Sequence, residues 1–217
     1  MKKIQILVVE DEAIVAEDMS VKLNALGYTV CGSASTGESA LKKVNTCQPD
    51  IILMDIRLRD DIDGIETTKK IQEQYDIPVI YMTAYNDKRT LNRMKKTLPY
   101  GFIMKPVDDR ELEGVIEATL FKHDLETKLH ESEEKYRVLF ESAGDAILVM
   151  QDLIFVDCNR KALELFACRK SQIIGKTPLD FSPHLQPDGQ PSKEKVMTMW
   201  KAAQKKGGQS FEWQHLR

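Results

Sequence analysis

The chain holds only four cysteines, Cys31, Cys47, Cys158 and Cys168, and no two of them form a Cys-x-x-Cys. That spacing excludes a zinc knuckle and a dithiol redox motif, and it leaves buried or incidental thiols. There is no basic excess: 31 Lys+Arg against 34 Asp+Glu give a formal net charge of -3. Without a broad positive field, neither nucleic acid nor an anionic membrane surface is expected as a partner. Long hydrophobic runs are missing too, and nothing approaches the roughly 18 apolar residues of a membrane helix. The apolar run at residues 4–9, after Met1-Lys2-Lys3, is interrupted by Gln5 and stops at Glu10, too short for a secretory signal. A cytoplasmic location is expected.

With 217 residues, 42% of them hydrophobic, the chain can build one large core or two small ones. Up to about residue 120, short β-branched runs at residues 4–9, 29–31, 51–54, 79–82 and 102–104 alternate with helical patterns. They read as five strands of a doubly wound α/β fold. The run Ile51-Ile52-Leu53-Met54 is apolar throughout, as a strand covered by helices on both faces should be, so the sheet is expected to be mainly parallel. Ile14, Val15, Met19, Val21, Leu23 and Leu26 fit a helix ended by Gly27. Ala40, Leu41 and Val44 mark a second helix, residues 65–75 a third that stops before Pro78, and Leu91 with Met94 a fourth. After Pro106, a fifth starts at Asp108, with Leu112, Val115, Ile116 and Thr119 on one face and acids at its start, where they suit the helix dipole.

In such a sheet ligands bind outside the carboxyl ends of the strands. The first strand delivers Glu10-Asp11-Glu12 there, the third Asp55, the fourth Thr83-Ala84 and the fifth Lys105-Pro106. Any one of these could be a helix cap or a surface charge; acid, acid, hydroxyl and amine at the same ends of successive strands are better explained by a site. Carboxylates gathered in one crevice raise one another's pKa unless a cation compensates. Oxygen ligands with room for water suit Mg²⁺, and Glu10, Asp11 and Asp55 fit that description. Two other crevice chemistries are disfavoured: Glu10-Asp11-Glu12 would repel the phosphate of a flavin mononucleotide, and no Gly-x-Gly-x-x-Gly follows any strand.

The segments Leu7-Val8-Val9-Glu10-Asp11-Glu12, Ile52-Leu53-Met54-Asp55, Met82-Thr83-Ala84 and Phe102-Ile103-Met104-Lys105-Pro106 resemble the receiver domain of two-component response regulators, over residues 1–123. The resemblance implies a flavodoxin-like five-stranded sheet of order 2-1-3-4-5. It implies that Asp55 accepts a phosphoryl group from a sensor histidine kinase or phosphotransfer protein. Asp11 would bind Mg²⁺ directly, Glu10 would hold its water shell, and Arg57 would offer a backbone carbonyl to the metal. Thr83 and Lys105 would neutralise the phosphoryl oxygens, and Thr83 would act as a switch together with Phe102. Tyr85 and Arg57 would influence how fast the phosphate hydrolyses. The Lys105–Pro106 bond is expected to be cis, since only an X-Pro bond adopts that form cheaply. The charged loop Arg57-Leu58-Arg59-Asp60-Asp61-Ile62-Asp63-Gly64 is longer than in the simplest receivers. A haloacid dehalogenase phosphatase would need a second aspartate two residues after the first, where Arg57 stands; the protein is therefore expected to be a phosphoacceptor rather than an enzyme.

Helical periodicity continues past this domain. Ala118, Lys122, Leu125, Leu129, Ser132, Tyr136 and Leu139 follow alternating steps of four and three through a charged stretch, which predicts a helical linker over residues 124–135 and a possible homodimer through it. Beyond it, Ser132-Glu133-Glu134-Lys135-Tyr136-Arg137-Val138-Leu139-Phe140-Glu141-Ser142-Ala143, Asp145-Ala146-Ile147 and Phe155-Val156-Asp157-Cys158-Asn159 resemble the start of a PAS domain, as do Ile174-Gly175-Lys176-Thr177-Pro178 and Phe211-Glu212-Trp213. The predicted elements are a hairpin of residues 146–150 and 153–157 turning at Gln151-Asp152, helices at 159–166 and 192–206, and a third strand where Phe211, Trp213 and His215 alternate with polar residues. The family's sheet has five strands, so an α+β PAS domain that is incomplete at its C-terminus is expected over residues 136–217. No PAS-bound cofactor is predicted: helix 192–206 has no histidine for haem, and Cys168 lacks the context of a flavin photoadduct. Two functions remain: a receiver that passes its phosphorylation state to the PAS module or a partner protein, and a PAS-centred interaction scaffold with the receiver as docking platform.

Overall fold

The computed structural model describes residues 3–59, 62–84, 88–208 and 210–216. Asp60, Asp61 and Tyr85, together with the side chain of Leu91, lie outside the described residues. The chain divides into two compact units, residues 1–129 and residues 130–217.

In the first unit, β1 (Gln5–Val9), α1 (Ala13–Ala25), β2 (Thr29–Ala34), α2 (Gly37–Cys47), β3 (Ile51–Asp55), α3 (Gly64–Gln72), β4 (Val79–Thr83), α4 (Lys88–Met94) and β5 (Gly101–Met104) precede the long helix α5 (Asp109–Ser142). The strands form one parallel sheet in the order β2-β1-β3-β4-β5. The period of two along each strand explains why apolar residues run without a break. Leu7, Val9, Ile52, Met54 and Tyr81 face one layer with Ala40, Val44, Ile65, Ile71 and Met94. Ile6, Val8, Ile51, Leu53, Ile80 and Met82 face the other, with Met19, Leu23, Leu112 and Ile116. Every residue of β3 and β4 is buried, as central strands between two helical layers must be.

The helix starts carry their own signals. Thr36 and Ser39 form a reciprocal capping box on α2, and Asp63 caps α3 by accepting from the Glu66 N–H at 3.0 Å. On α1 the core face is narrower than its apolar pattern predicts: Ala16, Met19 and Leu23 are buried, whereas Ile14 and Val21 are exposed. Gly27 follows that helix at φ +90, a conformation that disfavours any side chain.

In the second unit, β6 (Leu148–Gln151) and β7 (Ile154–Cys158) form an antiparallel pair. The turn lies one residue later than expected, at Asp152 and Leu153, both with positive φ, the signature of a primed hairpin turn. Helices α6 (Arg160–Phe166), α7 (Lys170–Ile173) and α8 (Ser192–Lys206) follow. Phe155, Cys158, Ala162, Phe166 and Ile173 make the core, with Leu148, Ile174 and Phe181 against it.

The expected third strand does not form: residues 210–216 carry no strand, and the described sheet has two strands. The backbone of this segment is held by other means. The Gln186 side chain accepts from Gln214 N–H at 2.8 Å and donates to Gln214 C=O at 3.3 Å, doing for one residue what a neighbouring strand would do for a row. Leu216 N–H donates to the Phe181 carbonyl and the Trp213 indole donates to Ser182 Oγ.

Candidate functional site

The ends of β1, β3, β4 and β5 bring Glu10, Asp55, Thr83 and Lys105 to one edge of the sheet. Glu10 and Thr83 are each 2% exposed and Asp55 7%. The parallel register pairs Asp55 with Met82 and Thr83 with Met104 across adjacent strands, and Lys105 N–H donates to the Thr83 carbonyl at 2.8 Å, so strand pairing itself sets the relative heights of these side chains. The Lys105–Pro106 bond is cis.

Charge is concentrated at one point. The Lys105 ammonium donates to Glu10 Oε2 at 2.6 Å and to Asp55 Oδ2 at 2.5 Å. Asp55 Oδ1 accepts from the Arg57 backbone N–H at 3.1 Å. Asp11 joins the two other carboxylates: Glu10, Asp11 and Asp55 each offer an oxygen, and these oxygens lie within 4.8 Å of one another. Among the described residues Glu10 Oε1 is buried with no hydrogen-bond partner, a costly state for a carboxylate oxygen.

Burial pushes the Glu10 carboxyl above its ordinary range, and the neighbouring Asp55 charge pushes the same way, against the pull of Lys105. For Lys105 burial acts to lower the pKa, but the hydrogen bonds and charges of Asp55 and Glu10 outweigh it and raise the ammonium above its usual value. One ammonium serves both buried carboxylates, Glu10 and Asp55, while the third, Asp11, is more open and lies outside its hydrogen bonds. Two oxygen-rich side chains and a third from the loop after β1 form a hard-ligand set that suits a small divalent cation.

Three features of this site were not legible as site features in the sequence. Arg59, in the charged loop after β3, reaches Asp11, with Nε 3.5 Å from Oδ2. Gly64 is where that loop returns: a Cβ built on it would lie 1.9 Å from the Asp55 carbonyl oxygen, and its N–H donates to the Ile56 carbonyl at 2.9 Å. The first turn of α3 therefore packs directly on the backbone of Asp55, which only glycine permits. Arg93 pairs with Asp63, the cap of the same helix, at 2.7 Å. A glycine before a helical pattern was the one available signal, and it reads equally as loop punctuation. Phe102 sits on β5 opposite Tyr81 and is 54% exposed, so its ring is outside the crevice. The cysteines stand apart from this chemistry: burial and the neighbouring Cys47 push the Cys31 thiol up to about 11.

Comparison with known proteins agrees with this fold. The family model "Response regulator receiver domain" matches residues 6–117, 112 of the 217 residues, and a PAS domain model matches residues 134–198. A curated relative, "Probable C4-dicarboxylate response regulator DctR" of Halalkalibacterium halodurans, is 33% identical over 115 residues, covering 52% of this chain and 50% of its own length. The chain thus spans about half the length of the curated relatives it matches. Among solved structures, the signal receiver domain of a modulated diguanylate cyclase from Desulfovibrio desulfuricans G20 is 34% identical, with a TM-score of 0.55, covering 58% of this chain and 99% of that one. The N-terminal domain of a response regulator/sensory box/GGDEF protein from Carboxydothermus hydrogenoformans is 35% identical, with a TM-score of 0.53, covering 57% and 98%. The chain belongs to the family of response regulator receiver domains, and a PAS domain match follows the receiver in the same chain.

Proposed function

We propose that the protein is a two-component phosphorelay response regulator in which Asp55 accepts a phosphoryl group from a sensor histidine kinase or phosphotransfer protein. The observation that carries this reading is the Lys105 ammonium lying against both Asp55 and Glu10 while a buried Glu10 oxygen lacks a partner. In the transfer, an Asp55 carboxylate oxygen forms the new P–O bond as the P–N bond to the donor imidazole breaks. Asp55 is held for this by two donors, Lys105 on one oxygen and the Arg57 N–H on the other. Lys105 and the Thr83 hydroxyl would then share the equatorial phosphoryl oxygens. Catalysis of this kind is positioning and charge neutralisation, with little covalent work for the protein.

Glu10, Asp11 and Asp55 would hold Mg²⁺, Asp11 directly and Glu10 through its water shell, with the Arg57 backbone carbonyl as a further ligand. A bound Mg²⁺ supplies neutralisation of the phosphoryl charge. The orphaned Glu10 oxygen and the all-oxygen donor set support the fit.

The phosphate adds about −1.5 to −2 charges. Thr83 would respond as the switch residue and Phe102 would follow on the exposed side of β5. We assign residues 1–123 to the receiver, 124–135 to a helical linker and 136–217 to the PAS part, which with a partner protein would read the phosphorylation state in the cytoplasm. The exposed stripe along α5 supports pairing with a second copy. The test is incubation with a small phosphodonor and Mg²⁺. Stable labelling of the parent chain that is absent from Asp55→Asn and suppressed by chelator is the expected result; steady multiple turnover of phosphate esters would point to a phosphatase.

A further inference from the structure

Helix α5 carries two stripes of different character. Leu112, Ile116 and Thr119 are buried against the sheet. Ala118, Lys122, Leu125, Leu129, Ser132, Tyr136 and Leu139 are exposed, all seven of them, although four are large apolar or aromatic residues. The spacing of this second set averages 3.5 residues, which keeps one seam facing a partner helix along its whole length. In heptad terms Lys122, Leu129 and Tyr136 take position a, and Ala118, Leu125, Ser132 and Leu139 take position d.

The flanking charges then fall into a pattern. Glu126 and Glu133 occupy position e, while Lys128 and Lys135 occupy position g. In a parallel pair, g of one helix meets e of the next heptad on the other; in an antiparallel pair, e meets e and g meets g. The parallel arrangement sets Lys128 against Glu133 twice, by symmetry. The antiparallel one sets lysine on lysine and glutamate on glutamate. A single lysine at an a position, Lys122, suits two strands and a fixed register. Its stem can lie along the seam with the head turned away: Nζ is 3.8 Å from Glu126 and 5.1 Å from the Tyr100 ring centroid.

We propose that α5 pairs with the same helix of a second copy as a parallel, in-register, two-stranded coiled coil, with Lys128 of each copy against Glu133 of the other. This orientation rests on the α5 pairing given above and is independent of the chemistry at Asp55. Lys128 and Glu133 are both exposed, so exchanging their charges leaves each unit's core untouched.

Sedimentation equilibrium of the full 217-residue chain at low salt tests this. The parent should be a dimer; Lys128→Glu and Glu133→Lys should each weaken it about tenfold, and the double variant should restore it. If either single variant tightens the dimer, the helices run antiparallel and the proposed orientation is wrong. A parent that stays monomeric at every concentration, or forms trimers, overturns the pairing itself. Phosphodonor labelling of Asp55 on the same samples is unaffected by any of these outcomes, so failure of the coiled coil and failure of the phosphoacceptor reading are told apart.

Discussion

In the first unit the buried polar side chains include Glu10 and Asp55, charged groups drawn to one point by strand ends and served by one ammonium. In the second unit the corresponding residue is Asn159, fully buried and neutral. Its amide donates to the Phe140 and Asp145 carbonyls, and its oxygen accepts from Ile147 and Ala162 N–H, all between 2.9 and 3.0 Å. Two donors and two lone pairs make four bonds, so Asn159 is saturated. It ties the end of α5, the approach to β6 and the start of α6 together. A saturated buried amide specifies structure, whereas a buried carboxylate oxygen without a partner is a cost that the fold carries. The contrast separates a unit with charged, incompletely paired buried groups from one tied together by a saturated amide.

The two units should respond oppositely to substitution of Asn159 and of Gly64. Asn159→Ala would strip the Phe140 and Asp145 carbonyls and the Ile147 N–H of this partner, while the Ala162 N–H keeps the backbone carbonyl of residue 159 at 3.1 Å, and should cost the second unit about 3 kcal/mol. Both tryptophans, Trp200 and Trp213, lie in residues 130–217, so the urea midpoint by tryptophan fluorescence should fall while phosphodonor labelling persists. Gly64→Ala should do the reverse. A methyl 1.9 Å from the Asp55 carbonyl oxygen must displace α3 or β3, at a cost of roughly 1–3 kcal/mol, and labelling should drop with the tryptophan transition unchanged.

Much of the first unit is legible because its chemistry is written in residue types. Glu10, Asp11, Asp55, Thr83 and Lys105 end successive apolar runs, and the topology rule brings those ends together. Arg59 and Gly64 escape that reading, since what matters about them is a contact across a loop and a close approach, neither of which leaves a periodic trace. The second unit is legible only as pattern. Alternating Phe211, Trp213 and His215 read as a strand, yet the Gln186 side chain and the Phe181 carbonyl took the backbone bonds a strand would need. Asn159 stood in the sequence as part of a motif, and nothing local announced its four partners, which reach back as far as Phe140.

Smaller effects sharpen the same contrast. Mg²⁺ that binds the folded acidic cluster should stabilise the first unit by about 2.7 kcal/mol at a hundredfold excess over Kd, read by hydrogen exchange of β1 and β3 amides, with the tryptophan transition of the second unit unmoved. Without metal, pH should act through Glu10. Its folded pKa lies above the unfolded value, so its contribution to stability is fully present below the ordinary value of 4.5 and is lost as pH rises through the folded pKa. Glu10→Gln should therefore change the stability profile of the first unit chiefly above that pKa, and titrating hydrogen exchange with pH would show it. The smallest effect belongs to Arg59→Ala. Removing an exposed guanidinium 3.5 Å from Asp11 should tighten Mg²⁺ binding by about twofold in isothermal titration, since the ion pair is screened by solvent.

The proposed chemistry at Asp55 makes one covalent bond, and reductive trapping reads it directly. After treatment with a small phosphodonor and Mg²⁺, borohydride reduction converts an aspartyl phosphate to homoserine, which peptide mass spectrometry locates. The expected result is homoserine at position 55 alone, dependent on Mg²⁺ and absent from Lys105→Ala at equal exposure. Phosphate retained on another side chain, or an unmodified Asp55 under conditions that label other receivers, would contradict the assignment.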